Sequence, residues 1–250
     1  MTVSVIIPVY NSRQFVRQAV ESVFRQNIPL ELIIVNDCSE DHPEEVLEDF
    51  LSRDDVILIK NKVNSGLSAS RNVGVRAASK EYIAFLDADD IWAEGKLSKQ
   101  IEVMKDSQCV ICHTARQLLD HFGNPLDRII HVKKEVDYRQ LLKHNSIACS
   151  SVLIPRDLAL EVPMSHDDCH EDYLTWLRVL KKTGKKACGI DEPLLLYRLS
   201  AGSKSRNKFR SANMTYRVHR YMDEGRIKAL INTGSHLAYG VKKYSKGYKI

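Results

Sequence analysis

The chain has 250 residues, 44% hydrophobic and 28% charged, which is the balance of a folded protein with a sizeable core and excludes a disordered chain. No apolar run reaches the roughly 20 residues of a membrane-spanning helix, and the start, Met1-Thr2-Val3-Ser4-Val5, lacks the basic segment of a secretory signal. The formal net charge of +5 is modest, and no nucleic-acid-binding signature accompanies it, so nucleic acid is not an expected partner.

Ser4-Val5-Ile6-Ile7-Pro8-Val9 is a β-branched run closed by a polar turn at Tyr10-Asn11, and apolar residues at Phe15, Val16, Ala19, Val20, Val23 and Phe24 then recur at helical spacing, with Ser12 as N-cap. Glu31 to Val35 predicts a second strand, and a helix is expected from near Pro43 to Leu51. Val56 to Ile59 reads as strand, Leu67 to Ala78 as helix, Tyr82 to Leu86 as strand and Lys96 to Lys105 as helix. Strands alternating with helices, each strand a near-continuous apolar run, indicate a mostly parallel sheet covered on both faces. Ligands of such sheets bind outside the carboxyl ends of the strands.

Beyond Cys112 the alternation weakens. Thr114 to Gln117, Arg128 to Val132, Ser150 to Pro155 and Pro193 to Arg198 are expected in sheet, Tyr138 to Lys143 and Glu171 to Lys182 in helices, and Met214 to Ile231 in one further helix before a loose lysine-rich tail. From Lys181 onward bases far outnumber acids, which reads either as a solvated face or as attraction to phosphates or an anionic membrane surface. Cys109-Val110-Ile111-Cys112 has CxxC spacing, but no second Cys/His pair completes a zinc site, so these are expected to be core cysteines. With no export signal, the six cysteines are expected to be reduced.

The chemistry concentrates in Phe85-Leu86-Asp87-Ala88-Asp89-Asp90, where a buried strand ends in three carboxylates. In extended backbone Asp87 and Asp89 would share a face, and the small Ala88 leaves room for a ligand. Mg²⁺ or Mn²⁺ carrying substrate phosphates would offset the repulsion; an acidic turn with Asp90 as cap for a helix from Ile91 is the structural alternative. Asn64 to Asn72 is a turn entering a helix, a place that favours anions, and Arg71 suits phosphate oxygens. Neither a GxGxxG fingerprint nor a P-loop is present.

Six segments in order, SVIIPVYN (4–11), IIVNDCSED (33–41), NSGLSASRNVGV (64–75), FLDADD (85–90), HEDYLTWLR (170–178) and LYR (196–198), resemble family-2 glycosyltransferases of GT-A fold, including those that build bacterial O-antigen or capsule repeat units. The resemblance implies an α/β chain with a Rossmann-like nucleotide half (1–112), an acceptor half (113–198), and a basic lid and helical extension (199–250). It implies an inverting, metal-dependent hexosyltransferase that uses a UDP-sugar and a polyprenyl-diphosphate-linked saccharide, working in the cytoplasm at the inner face of the inner membrane, with a homodimer left open. Pro8, Val9, Tyr10, Asn11, Asp37 and Ser39 would cradle the nucleobase, Tyr10 by stacking and Asp37 by accepting the uracil N–H. Gly66, Arg71, Asn72, Asp87, Ala88 and Asp90 would complete the donor side.

By the same resemblance, Asp89 with Asp87 would hold Mn²⁺ or Mg²⁺, Asp172 would be the general base supported by Glu171, and Trp176 would line the acceptor side. The chain departs from the family pattern in three places: Asn36 stands where an Asp is frequent, Cys38 where Gly is common, and Ser200 where a metal-binding His is common. Segment 200–211, with Gly202, Lys204 and Arg206, is expected to be a basic lid over the diphosphate. Two rival readings are a nucleotidyltransferase, which should carry a Gly-rich basic loop after the first strand, and a non-catalytic nucleotide-sugar or lipid-diphosphate binding protein.

Overall fold

The computed structural model describes residues 1–105, 109–199 and 208–245. Strand β1 (Val3–Val9) leads through helix α1 (Arg13–Phe24) to β2 (Leu30–Asn36), and a 3-10 turn (Pro43–Val46) with the short α2 (Glu48–Leu51) leads to β3 (Val56–Lys60). Helix α3 (Leu67–Ala77) then brings the chain back to β4 (Tyr82–Phe85). These four strands lie in the order β3-β2-β1-β4, all parallel, as the apolar runs predict. Alternation along the strands divides the core. Ile6, Ile33 and Val35 face one side with α3, while Val5, Ile7, Leu32 and Ile34 face the other with Val16 and Val20 of α1.

The second half of the sheet is mixed. It comprises β5 (Ile91–Trp92), β6 (Cys109–Leu119), β7 (Pro125–Ile130), β8 (Glu135–Val136), β9 (Leu153–Pro155) and β10 (Lys186–Arg198), extending the order as β4-β9-β6-β10-β5. Strand β9 runs antiparallel to both β4 and β6, so β6 and β10 point the same way as β1 and β4. Their carboxyl ends, at Leu119 and Arg198, therefore join Tyr10, Asp37 and Asp87 on one sheet edge. The hairpin partner β7 lies on β6, where Arg128 to Val132 was expected in sheet.

Helices α4 (Lys96–Val103), α5 (Tyr138–Lys143) and α7 (Glu171–Thr183) fall where the periodicity places them, and α6 (Arg156–Glu161) is an addition. Gly184 ends α7 at a φ of 65°. The single C-terminal helix expected is two helices, α8 (Lys208–Tyr221) and α9 (Arg226–Ser245), broken at Asp223, whose φ is 62°, and Gly225. The tail expected to be loose is helical as far as Ser245. Ser200, Gly202, Lys204 and Arg206 of the expected lid lie outside the described residues. Cys109 and Cys112 are buried in β6, with no disulfide among the described cysteines.

Candidate active site

The three carboxylates after β4 lie in a tight turn and not in extended backbone, because the Asp90 amide donates to the Asp87 carbonyl at 3.0 Å. The Asp87 amide donates to Ser150 Oγ at 3.1 Å, which ties the turn to the segment before β9. Asp90 caps no helix, since Ile91 opens β5. Its carboxylate is buried and accepts the Arg198 amide at 3.0 Å. Burial, then the charges of Asp89 and Asp87, raise Asp90 well above the usual carboxylate range. Asp90 thus positions the turn, and its carboxylate is buried on the Arg198 amide and not presented to the donor side, where it was expected. The Arg198 side chain adds a bond from Nε to the Asp89 carbonyl at 2.9 Å and one to Gln18 Oε1 at 2.8 Å. Ala88 is buried within the turn, while Asp87 and Asp89 remain partly exposed.

At the end of β1, Tyr10 is 49% exposed on the rim. Pro8 and Val9 are buried inside the strand, so their side chains do not meet a ligand. Asn11 has a φ of 48°; its amide donates to Ser39 Oγ at 3.1 Å and its Oδ1 accepts the Glu40 amide at 2.9 Å. The ends of β1 and β2 are thereby stitched together. Cys38 also takes a left-handed φ, 62°, which explains why a glycine is natural there.

Asp37 is buried and accepts Asn61 Nδ2 at 2.7 Å and the Ser65 amide at 2.9 Å on Oδ1, and the Gly66 amide at 2.9 Å on Oδ2. Three of its roughly four acceptor positions are therefore occupied by its own chain. Asp37 first of all fixes the loop that enters α3.

The start of α3 is not an open anion site. Asp167 Oδ1 accepts the Ser68 amide at 2.9 Å and the Ser68 hydroxyl at 2.7 Å. Gly66, at a φ of 91°, is required there, because a Cβ would overlap the Asp167 carboxylate. Asp167 was not foreseen; its only signal was the acidic pair Asp167-Asp168 between His166 and Cys169. Asn72 is likewise occupied, donating to the Met164 carbonyl at 2.7 Å and accepting its amide at 3.0 Å.

Arg71 does not face phosphate. It is 1% exposed, and its two amino groups reach Asp87 at 2.5 Å and Glu171 at 3.0 Å. The turn after β4 and the start of α7 are therefore coupled through one guanidinium. Next to Glu171, Asp172 is partly buried and accepts the Tyr173 amide at 2.7 Å. Burial, then the Glu171 charge, push Asp172 up to about 7, against the pull of Arg71. That is the value of a carboxylate able to take a proton at neutral pH. Trp176 is 1% exposed and packs on Phe85 at 6.3 Å, so it belongs to the core and does not line an acceptor site.

Residues 4–158 match the family described as Glycosyl transferase family 2. The chain is a family 2 glycosyltransferase. It is 38% identical over 223 residues, 88% of each chain, to TuaG of Bacillus subtilis (strain 168), a glycosyltransferase named for teichuronic acid biosynthesis. It is 31% identical over 250 residues, 99% of this chain and 96% of the other, to the UDP-Glc:alpha-D-GlcNAc-diphosphoundecaprenol beta-1,3-glucosyltransferase WfgD of Escherichia coli. Among solved structures, S. aureus TarS 1-349 in complex with UDP-GlcNAc matches with a TM-score of 0.72 at 16% identity, covering 97% of this chain and 73% of that one. The mannosyltransferase PcManGT of Pyrobaculum calidifontis, in complex with GDP-Man and Mn²⁺, matches at 0.69 with 15% identity, covering 96% and 75%. These likenesses establish the GT-A fold.

Divalent metals are common in glycosyltransferases of this fold. The donor set here fits one. Asp87 and Glu171 share the buried Arg71 guanidinium, Asp89 lies with Asp87 in the same partly exposed turn, and burial together with the charges of Asp89 and Asp87 raises Asp90 well above the usual carboxylate range. Among the described residues no three His, Cys, Asp or Glu side chains form a ready cage. Two partly exposed carboxylates completed by substrate phosphates suit Mg²⁺ or Mn²⁺ better than an all-protein site does.

Proposed function

We propose that this glycosyltransferase moves a hexose or N-acetylhexosamine from a UDP-sugar to a saccharide carried on a polyprenyl diphosphate, inverting the anomeric centre to give a β-linkage. The setting would be O-antigen or capsule assembly at the cytoplasmic face of the bacterial inner membrane. The names of WfgD and WfaP, which is 33% identical over 209 residues, give that donor and acceptor class for the E. coli proteins. The observation that carries the reading is the chain Asp87–Arg71–Glu171 beside Asp172, a base raised to about 7.

Tyr10 stacks on the uracil, and the loop held by Asp37 closes one side of the nucleotide. Asp89, with Asp87, would hold Mn²⁺ or Mg²⁺, which when bound neutralises charge on the departing diphosphate. Asp172 takes the proton of the acceptor hydroxyl as that oxygen bonds to the anomeric carbon. The bond from that carbon to the UDP oxygen breaks, and UDP leaves with its electron pair. Glu171, bound to Arg71, keeps the base facing the turn.

The test is UDP release from UDP-glucose, UDP-galactose and their N-acetylated forms, with Mn²⁺ or EDTA, and with or without a synthetic polyprenyl-diphosphate-linked sugar. Release from one donor that needs both metal and acceptor is expected. Absence of release together with absence of UDP binding overturns the reading.

A further inference from the structure

Helix α9 has two apolar faces. The inner one carries Ala229 and Thr233, both buried, and His236, whose ring lies 5.7 Å from that of Tyr173. On the opposite side Ile227, Leu230 and Ile231 are 77%, 62% and 66% exposed, followed at helical spacing by exposed Gly234 and Ala238. Positions i, i+3, i+4, i+7 and i+11 form a single stripe turned away from the protein. A stripe of this kind is ordinarily covered.

Charge identifies the cover. From Arg226 to the last residue the sequence holds Arg226, Lys228, Lys242, Lys243, Lys246 and Lys249 and no Asp or Glu. Two copies meeting through this helix would bring like charges together. An anionic bilayer supplies both an apolar interior for the isoleucines and lipid phosphates for the bases, the pairing of a helix that lies in the membrane interface. We infer that α9 is the membrane-docking element and seats Ile227, Leu230 and Ile231 among anionic lipids.

The placement also serves the chemistry. Ser211 at the start of α8 lies 3.2 Å, Oγ to Nε2, from His170, the residue before Glu171, and His236 of α9 packs on Tyr173, the residue after Asp172. A surface that holds α9 thus holds the start of α7 within reach of a lipid-borne acceptor. This purpose rests on the proposed acceptor, but vesicle binding is read without sugar transfer, so the two ideas fail separately.

The experiment is sedimentation of the full chain with phosphatidylglycerol vesicles and with neutral phosphatidylcholine vesicles. The wild-type chain should sediment with the first and not the second. The double substitution Ile227→Asp/Ile231→Asp should weaken binding by about tenfold or more with an unchanged circular dichroism spectrum. Leu230→Gln, a milder change at an exposed position, should weaken it in the same direction. Failure to bind anionic vesicles, or equal binding by the variants, overturns the inference. So does a dimer that the same substitutions disperse without any vesicle binding, which would assign the stripe to a second copy.

Discussion

Arg71 of α3 and Glu171 of α7 pair at 3.0 Å although 100 positions separate them, with both side chains withdrawn from solvent. The pair fastens the helix that opens with Glu171 and Asp172 to the helix behind the carboxylate turn. The second amino group of Arg71, on Asp87, makes that fastening continuous with the turn. Buried ions of this kind add little net stability against an apolar core, but removing one partner leaves the other charged and dry.

Arg71→Leu should therefore cost about 3–5 kcal/mol, since it strands Glu171 and Asp87 together. Urea denaturation followed by circular dichroism measures this. Arg71→Lys keeps the charge and loses the fork, so it should fall between the variant and wild type.

Asp172 binds its proton more tightly in the folded chain than in the unfolded one. Its contribution to stability is complete below an unfolded value of about 4 and is lost as pH rises through about 7. Asp172→Asn removes that loss. Its melting temperature at pH 8 should equal or exceed that of wild type, whereas at pH 4 the two should converge. A variant less stable than wild type at pH 8 would show that Asp172 is not held against its charge.

Tyr10 and Trp176 should separate binding from folding. Tyr10→Ala removes an exposed ring and should weaken UDP by about 1–3 kcal/mol in calorimetry, the usual loss when a stacked base loses its aromatic partner. Its stability should stay within about 0.5 kcal/mol of wild type. Trp176→Ala empties a core position and should cost about 3–5 kcal/mol of stability.

Gly66→Ala should destabilise the chain by about 1–3 kcal/mol, because φ is 91° and the added methyl group meets Asp167. Thermal melting reads the loss. In the double variant Gly66→Ala/Asp167→Ala the overlap disappears but the Ser68 amide loses its acceptor, so stability should not return to wild type.

The parallel half of the sheet was legible because each strand is an unbroken apolar run and each helix a periodic one. Strand β9 falls inside the expected run Ser150 to Pro155, whereas the two-residue β5 carries no such pattern and only its neighbour makes it a strand. The carboxylates were legible as types but not in their roles. Arg71 resembles a phosphate ligand until the fold places Glu171 and Asp87 on it, and Asp167 acquires a function only beside Ser68, 99 positions away. Trp176 sits one turn beyond Asp172 on the same helix and invites an acceptor role, yet its ring is buried against Phe85 in the core, a contact that only the fold supplies. The break between α8 and α9 was signalled by Asp223-Glu224-Gly225, which the surrounding helical periodicity masked.

The most direct test of the central claim is the pH dependence of transfer to a lipid-diphosphate sugar, measured for wild type and Asp172→Asn with UDP affinity determined in parallel. A base raised to about 7 requires the wild-type rate to climb through neutral pH. The Asn variant should be slower by about 10²–10⁴-fold, flat with pH, and unchanged in UDP affinity. A variant that transfers at a near wild-type rate with the same pH profile would remove Asp172 from the chemistry and transfer the role of base to another group.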